Sequence, residues 1–535
     1  MTTIAPFAAG SYLTTRNAAQ LTTLKNQLND LSNQVSSGQV SQTYGGLGSG
    51  RSTALGAQAT LSALGGYAAG ITAGQTRTNL AVTSLTQVAT LGTSASQTLN
   101  NGLQSVATSS VSGRSTALGD LQTALDALNQ SAAGNYLFGG GDASTQPVVD
   151  ADTLLNGTTG SQGQTVAGLS AVIAERVDAE VGPNQNGRLT QTPTPSSSNS
   201  GTSVTVTDEA DSQTRGMFGF TLAAAPTVTG SALSATYTAA ASPSPASFTL
   251  NLTAQPQPGD SATISLTLPD GTSKTLTLKA ATTADATSTT SFAIGSSISD
   301  TMNNLSATLN KALKGLASGT LAVNATADAA SSFFTGSAKG GLTGSGIMPE
   351  RIQYDASNNP IGYRPATAAD TVLWYQGENT YTASNTPTSA LDSQSIQVSA
   401  TSNIGTGARA IDPAVQNVLA GLATMAFALP TTNDDTTGTA YQTVMNRAGA
   451  LLSSTDGSSG VQNTVTQLSI AAARLTNAGT TNAATQNTVQ NTLDGIEQAP
   501  TEEVIAKLLD VQNRLQASYQ ITSTLSKLSL VNYIS

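Results

Sequence analysis

The chain has 535 residues, with 21 basic and 31 acidic side chains, a net charge of −10 and neither Cys nor His. Disulfides, Cys/His metal sites and catalytic dyads or triads built on either residue are therefore excluded. No cluster of Lys and Arg offers a phosphate-binding surface, so neither nucleic acid nor an anionic membrane surface is an expected partner. Charged residues are only 10% of the chain, against roughly 25% in ordinary globular proteins. Thr, Ser, Asn, Gln and Gly carry the polar balance instead, which suits packing against many neighbours through small-residue surfaces. The length predicts several domains. The opening stretch MTTIAPFAAGSYLTTR has no basic region followed by an apolar one, so no cleaved secretory signal is expected. No run of 18 apolar residues exists to cross a membrane.

In chain order, the first signal is the helix predicted within 11–43. Leu21, Leu24, Leu28, Leu31 and Val35 are spaced 3, 4, 3 and 4 apart, with polar residues between them. That is a heptad seam, a stripe too narrow to stand without a partner helix. Ser36-Ser37-Gly38 ends it, with Gly38 as the cap. The Gly-rich stretch 39–51 reads as a turn or hinge; no strand precedes it and the spacing of a phosphate loop is absent. A second helical stretch is predicted over 52–110, with Leu61, Leu64, Ile71, Leu80, Leu85, Val88 and Leu91 as its apolar positions. A third follows at Ser115–Ala133. Tyr136, Leu137 and Phe138 then run into three glycines, which end the helical segment.

From 149 to 410 the period changes to two. SVTVT at 203–207 and FTLNL at 248–252 alternate, and 261–280 reads as a hairpin whose turn is Pro269-Asp270-Gly271. One helix is expected near 298–317, from the spacing of Ile298, Met302, Leu305, Leu309, Leu313 and Leu316. PTPSSSNSG at 193–201 and SPSPAS at 242–247 read as loops. Trp374 reads as a core anchor. The carboxylate pairs Asp150/Asp152, Asp208/Glu209 and Asp434/Asp435 fall in polar segments and read as solvated charge. No catalytic, cofactor or metal motif emerges, and the chain is not expected to be an enzyme.

Helical character returns at Ile411. Asp412 and Pro413 form an N-cap and first-turn pair, and Pro430 ends that helix. A long helix is predicted from about Ser458 to Ala499. Val461, Val465, Leu468, Ala472 and Leu475 keep heptad register; Gly479, Asn482 and Gln486 weaken it, and Val489, Leu493 and Ile496 restore it. Pro500 breaks the chain and Thr501 starts the last helix. There Val504, Leu508, Val511 and Leu515 repeat at 4, 3 and 4, and Ser518, Thr522 and Leu525 continue the register. The two terminal stripes are each other's natural partners. The expected fold is α+β: a discontinuous, coiled-coil-like helical bundle from residues 1–142 and 411–535, with a β-rich outer insert at 143–410. The expected assembly interface is Leu21, Leu24, Leu28, Leu31, Val35, Val504, Leu508, Val511, Leu515 and Leu525.

This organisation resembles the flagellin superfamily of bacterial axial proteins. LKNQLNDLSNQVSSGQ at 24–39 resembles its N-terminal helix. GDLQTALDALNQSAAGNYLFGGGDASTQPV at 119–148, WYQGEN at 374–379 and the ending LSKLSLVNYIS resemble the hook-associated protein 3 branch, the junction proteins between hook and filament. The length of 149–370 leaves filament flagellin as the alternative; a secreted adhesin is the reading from another class. The resemblance implies export through the flagellar type III apparatus without a cleaved signal, and an extracellular place in the flagellum. It implies copies of the same chain, hook-associated protein 1 and filament flagellin as partners, with an export chaperone as a further one. It also implies termini that order on assembly.

Overall fold

The structure is a computed structural model. It describes residues 6–534 apart from 103–105, 161–162, 194–200, 342–343, 381–387, 431–437 and 454–456; side chains are left undescribed at 6–11, 13, 106–112, 525, 526 and 528–534. Its helices are α1 (Pro6–Ser37), α2 (Arg51–Gly102), α3 (Val106–Leu128), α4 (Ala151–Asn156), α5 (Leu169–Val181), α6 (Ile298–Leu316), α7 (Ala322–Thr335), α8 (Pro413–Ala428), α9 (Thr439–Ser453), α10 (Ser458–Glu497) and α11 (Thr501–Ile534). The fold is α+β. The long N- and C-terminal helices pack on one another, α1 on α11 and α2 on α10, and the middle of the chain is rich in strands. No helix among the described residues is long and apolar enough to cross a membrane.

Two compact units form. One contains 1–73, 397–403 and 475–535; the other contains 74–396 and 404–474. The division thus falls within α2 and α10, at Ala73/Gly74 and Arg474/Leu475. The reason lies in the second unit's core. α7 packs on α8 and on α5, and α3 packs on α8. Leu85, Val88 and Leu99 of α2, Leu121 and Leu128 of α3, and Val418 and Leu422 of α8 share one apolar cluster with Phe333, Phe334 and Trp374 of the middle region. A helix buried among partners from the insert belongs to the insert's body.

Trp374 is fully buried, with its ring edge-on to Phe334 at 5.3 Å. Its Nε1 donates to Phe334 O at 2.9 Å, so the indole is both packed and satisfied. Asp412 caps α8 by accepting from Ala414 N at 3.2 Å, with Pro413 in the first turn.

A second core lies between two sheets and α6. The first sheet is antiparallel, in the order Thr190–Thr192, Ser203–Thr207, Ser247–Leu252, Leu233–Thr238. The second is built on Ser261–Thr267 and Ser273–Ala281, paired with Ile264 opposite Leu276 and Ala262 opposite Leu278. Thr221–Leu222 and Thr227–Thr229 pair with Ser261–Thr267, and Ser291–Ala293 joins Ser273–Ala281 in parallel. The turn is the one written in the sequence. Gly271, at φ +79°, donates to Leu268 O at 3.0 Å, and Asp270 accepts from Thr272 N at 2.9 Å. Inward residues alternate with polar outward ones in both predicted strands. Of α6, Met302, Leu305, Leu309 and Leu313 are buried, while Ile298 and Leu316 are partly covered.

Three expectations need correction. Among the described residues the middle region holds not one α-helix but four, since α4, α5 and α7 accompany α6. The third helix lies earlier than the sequence suggested, because α3 runs from Val106 to Leu128 rather than from Ser115 to Ala133. Asp208 is not solvated: it is 3% exposed and accepts from the Leu222 backbone N–H at 2.9 Å, and burial raises its pKa. A backbone donor inside the core needs an acceptor, and Asp208 supplies it. The neighbouring Glu209 pairs with Arg188 at 2.9 Å, and Asp150 caps α4. Most of the predicted loop 193–201, and Asp434/Asp435, lie outside the described residues.

Candidate functional site: the terminal helix seams

Within the first unit, α1 and α11 pack on each other. At about 1.5 Å per residue, their 32 and 34 residues make rods near 50 Å long. The half-covered positions of α1 between 17 and 34 are Asn17, Leu21, Leu24, Leu28, Leu31 and Gln34. Four are the predicted seam leucines. The fifth predicted residue, Val35, is 37% exposed. On α11, Val504 is buried and Leu508, Val511 and Leu515 are half-covered, with Ser518 and Thr522 continuing the line. The Leu525 side chain lies outside the described ones.

The seam is thus formed but incompletely covered. Beside it on α11, Ile505 and Leu509 are 42% and 53% exposed, and Tyr519 and Ile521 are exposed further along. Val504, Ile505, Leu508, Leu509 and Val511 together make an apolar arc wider than a strict heptad seam, and one partner helix covers only part of such an arc. α11 carries two solvent-facing ion pairs, Glu503–Lys507 at 2.6 Å and Asp510–Arg514 at 3.0 Å. The Lys507 partner holds the Glu503 carboxyl below its ordinary pKa.

The second helix pair of this unit joins 51–73 of α2 to 475–497 of α10. Leu61, Leu64 and Ile71 lie on the covered face of α2, and Leu475, Asn482 and Leu493 are the buried positions of α10. The polar residues that weaken the heptad are inside it. Asn482 is 5% exposed; its Nδ2 donates to Leu64 O at 2.9 Å, and its Oδ1 has no partner among the described residues. A half-satisfied amide in a helix seam lowers stability and fixes which residues face each other.

The two helix pairs meet at a clasp that sequence reasoning did not find. Val40 N donates to Glu497 O at 2.7 Å and Ala499 N to Gly38 O at 2.9 Å, so Gln39 and Gln498 face each other as an antiparallel bridge. Gly38 adopts φ +69° and closes α1 through a 2.9 Å bond to Gln34 O. Gln34 Nε2 reaches Val40 O at 3.0 Å. The available signal was the coincidence of two breakers, Gly38 and Pro500, each at the inner end of a heptad stripe.

No protein-family model, curated protein or solved structure matches the chain.

Proposed function

We propose that the chain is a structural subunit of the bacterial flagellum, an adaptor of the hook-associated protein 3 type that joins hook to filament and assembles through its terminal helices. The observation that carries this reading is the α1–α11 seam. Its heptad residues are paired within one chain yet only half-covered, and Ile505 and Leu509 widen the apolar arc beyond what α1 covers. Such a surface gains most from further helices packed beside it, as in a wall of identical subunits. The sparse charge of the chain favours close packing of copies, the motif at 24–39 favours the superfamily, and those at 119–148, 374–379 and 525–535 favour the junction branch.

On this reading the protein leaves the cell by type III export without a cleaved signal and works outside it. Its partners are its own copies, hook-associated protein 1 and filament flagellin, with a chaperone covering α11 before export. It needs no cofactor and performs no catalysis. The length of the middle region favours a second reading, a filament flagellin. Deleting the gene separates the readings. Loss of the junction protein leaves hooks bare and flagellin shed into the medium. Loss of a flagellin leaves short, altered or missing filaments on an intact junction. Normal swimming contradicts both and points to an adhesin.

A further inference from the structure

A cavity of about 200 Å³ opens in the second unit beside the C-terminal half of α5, lined by Glu180 together with Asn324 and Asp328 of α7 and Arg447 of α9. Leu268 and Leu321 give it apolar wall. Glu180 is 7% exposed. Its Oε2 accepts from Gly219 N at 2.9 Å, and no described residue bonds to Oε1 or places a cation within ion-pair distance. The guanidinium groups nearby are committed elsewhere: Arg188 to Glu209 at 2.9 Å, Arg176 to Asp328 at 3.7 Å and Glu350 at 3.6 Å, and Arg447 to Asp328. A buried carboxylate lacking a cation is costly, and it either takes up a proton or takes a cation from outside.

We propose that this cavity binds a primary alkylammonium group, received by the Glu180 carboxylate. The ammonium donates to Glu180 Oε1 and to the Asn324 amide oxygen, with Asp270 adding negative charge at the wall, while a short alkyl stem lies against Leu268 and Leu321. A metal ion suits the site less well, because among the described residues no three acidic side chains come together to hold one. The charged and titratable groups that face Glu180 are Arg176 on its own helix, Arg188 after it, Asp270 in the turn of the hairpin, Asp328 on α7, Arg447 on α9 and Tyr363 on the strand Pro360–Pro365. Burial is the largest influence and pushes its pKa up to about 7, so the empty site holds a proton that an incoming ammonium must displace.

The alkylammonium comes from one of two sources, a free amine or a lysine of a second copy. The test titrates dilute full-length protein with n-butylamine and with putrescine, by calorimetry and by thermal melting, at pH 8 and pH 5.5. Tetramethylammonium, which cannot donate a hydrogen bond, is the control. The proposal expects saturable binding at pH 8 that weakens about tenfold per pH unit below 7 and is lost in Glu180→Gln, whose amide oxygen still accepts from Gly219 N. A lysine from a second copy shows instead as a melting temperature that rises with protein concentration in the parent and not in Glu180→Gln. Equal effects of tetramethylammonium, equal binding by Glu180→Gln, or no response to either amine or concentration overturns the proposal.

Discussion

The helices α2 and α10 each contribute to both compact units, and the two halves of each are packed differently. In the second unit, Leu85, Val88 and Leu99 of α2 and Val461 and Leu468 of α10 are 0–1% exposed. In the first unit the same helices bury Ile71, Leu475 and Leu493 but leave Leu61, Leu64, Gly479, Gln486 and Val489 only half-covered, around the under-bonded Asn482. One half of each helix is stabilised by burial among many partners. The other has a single helix beside it, and α1 and α11 repeat that pattern. Covering an apolar side chain fully is worth roughly 1.5–3 kcal/mol, so half-covered seams hold much of that energy in reserve for contacts with other molecules. On the proposed function, the difference gives stability to the second unit and assembly to the first.

The sharpest way to break this contrast is to damage the second unit's core. Trp374→Ala removes the ring against Phe334 and orphans the Phe334 carbonyl. It is expected to lower the stability of the second unit by about 3–5 kcal/mol, read as a fall in its urea midpoint, whereas Leu28→Ala in the first unit should leave that midpoint in place. If both substitutions move it equally, the units are not energetically distinct.

A pH series sharpens the contrast further. The pKa of Glu180 is raised by burial to about 7, so its contribution is fully present below the unfolded-state value near 4.5 and is lost as pH rises through 7. In amine-free buffer the second unit should lose on the order of 2–3 kcal/mol between pH 5 and pH 8. Glu180→Gln should flatten that slope, and a slope that survives the substitution assigns it to another group.

Asn482→Leu probes the opposite sign. It replaces a half-satisfied amide with apolar surface in the α2–α10 seam and is expected to stabilise the first unit by roughly 1 kcal/mol, seen as a later loss of helical circular dichroism. A destabilised variant would mean that the bond to Leu64 O matters more than the orphaned Oδ1. The smallest effect is expected from Lys507→Ala. It removes a solvent-facing i,i+4 pair that water and salt screen, and melting in low and high salt should barely separate it from the parent.

The elements legible in the sequence are those with large apolar residues at a clean period. The stripes of α1 and α11, the hairpin at 261–281, α6 and the Asp412-Pro413 start of α8 all have that character, and Trp374 was readable as an anchor. What escaped was built from small residues or covered on several sides. α7 buries Ala325, Ala327, Ala329 and Ala330 beside Phe333 and Phe334, and alanines give little periodic contrast. α5 buries Leu169, Val172 and Ile173 at one end and Ala179 and Val181 at the other, between partners from both cores. The α1–α11 seam was legible at Leu21, Leu24, Leu28, Leu31, Val504, Leu508, Val511 and Leu515 because it is a two-helix seam; its width was not, because Ile505 and Leu509 fall outside the heptad positions. The clasp at Gly38–Val40 is a backbone contact with a segment more than 450 residues away, and no local pattern encodes its partner.

The central claim is tested most directly by replacing Leu508 and Leu515 together with Asp. The purified double variant is followed by urea unfolding of the second unit and by addition to isolated hooks viewed in the electron microscope. The account predicts that incorporation is abolished while the urea midpoint of the second unit stays within error of the parent. A variant that still joins hooks, or one whose second unit unfolds early, contradicts it.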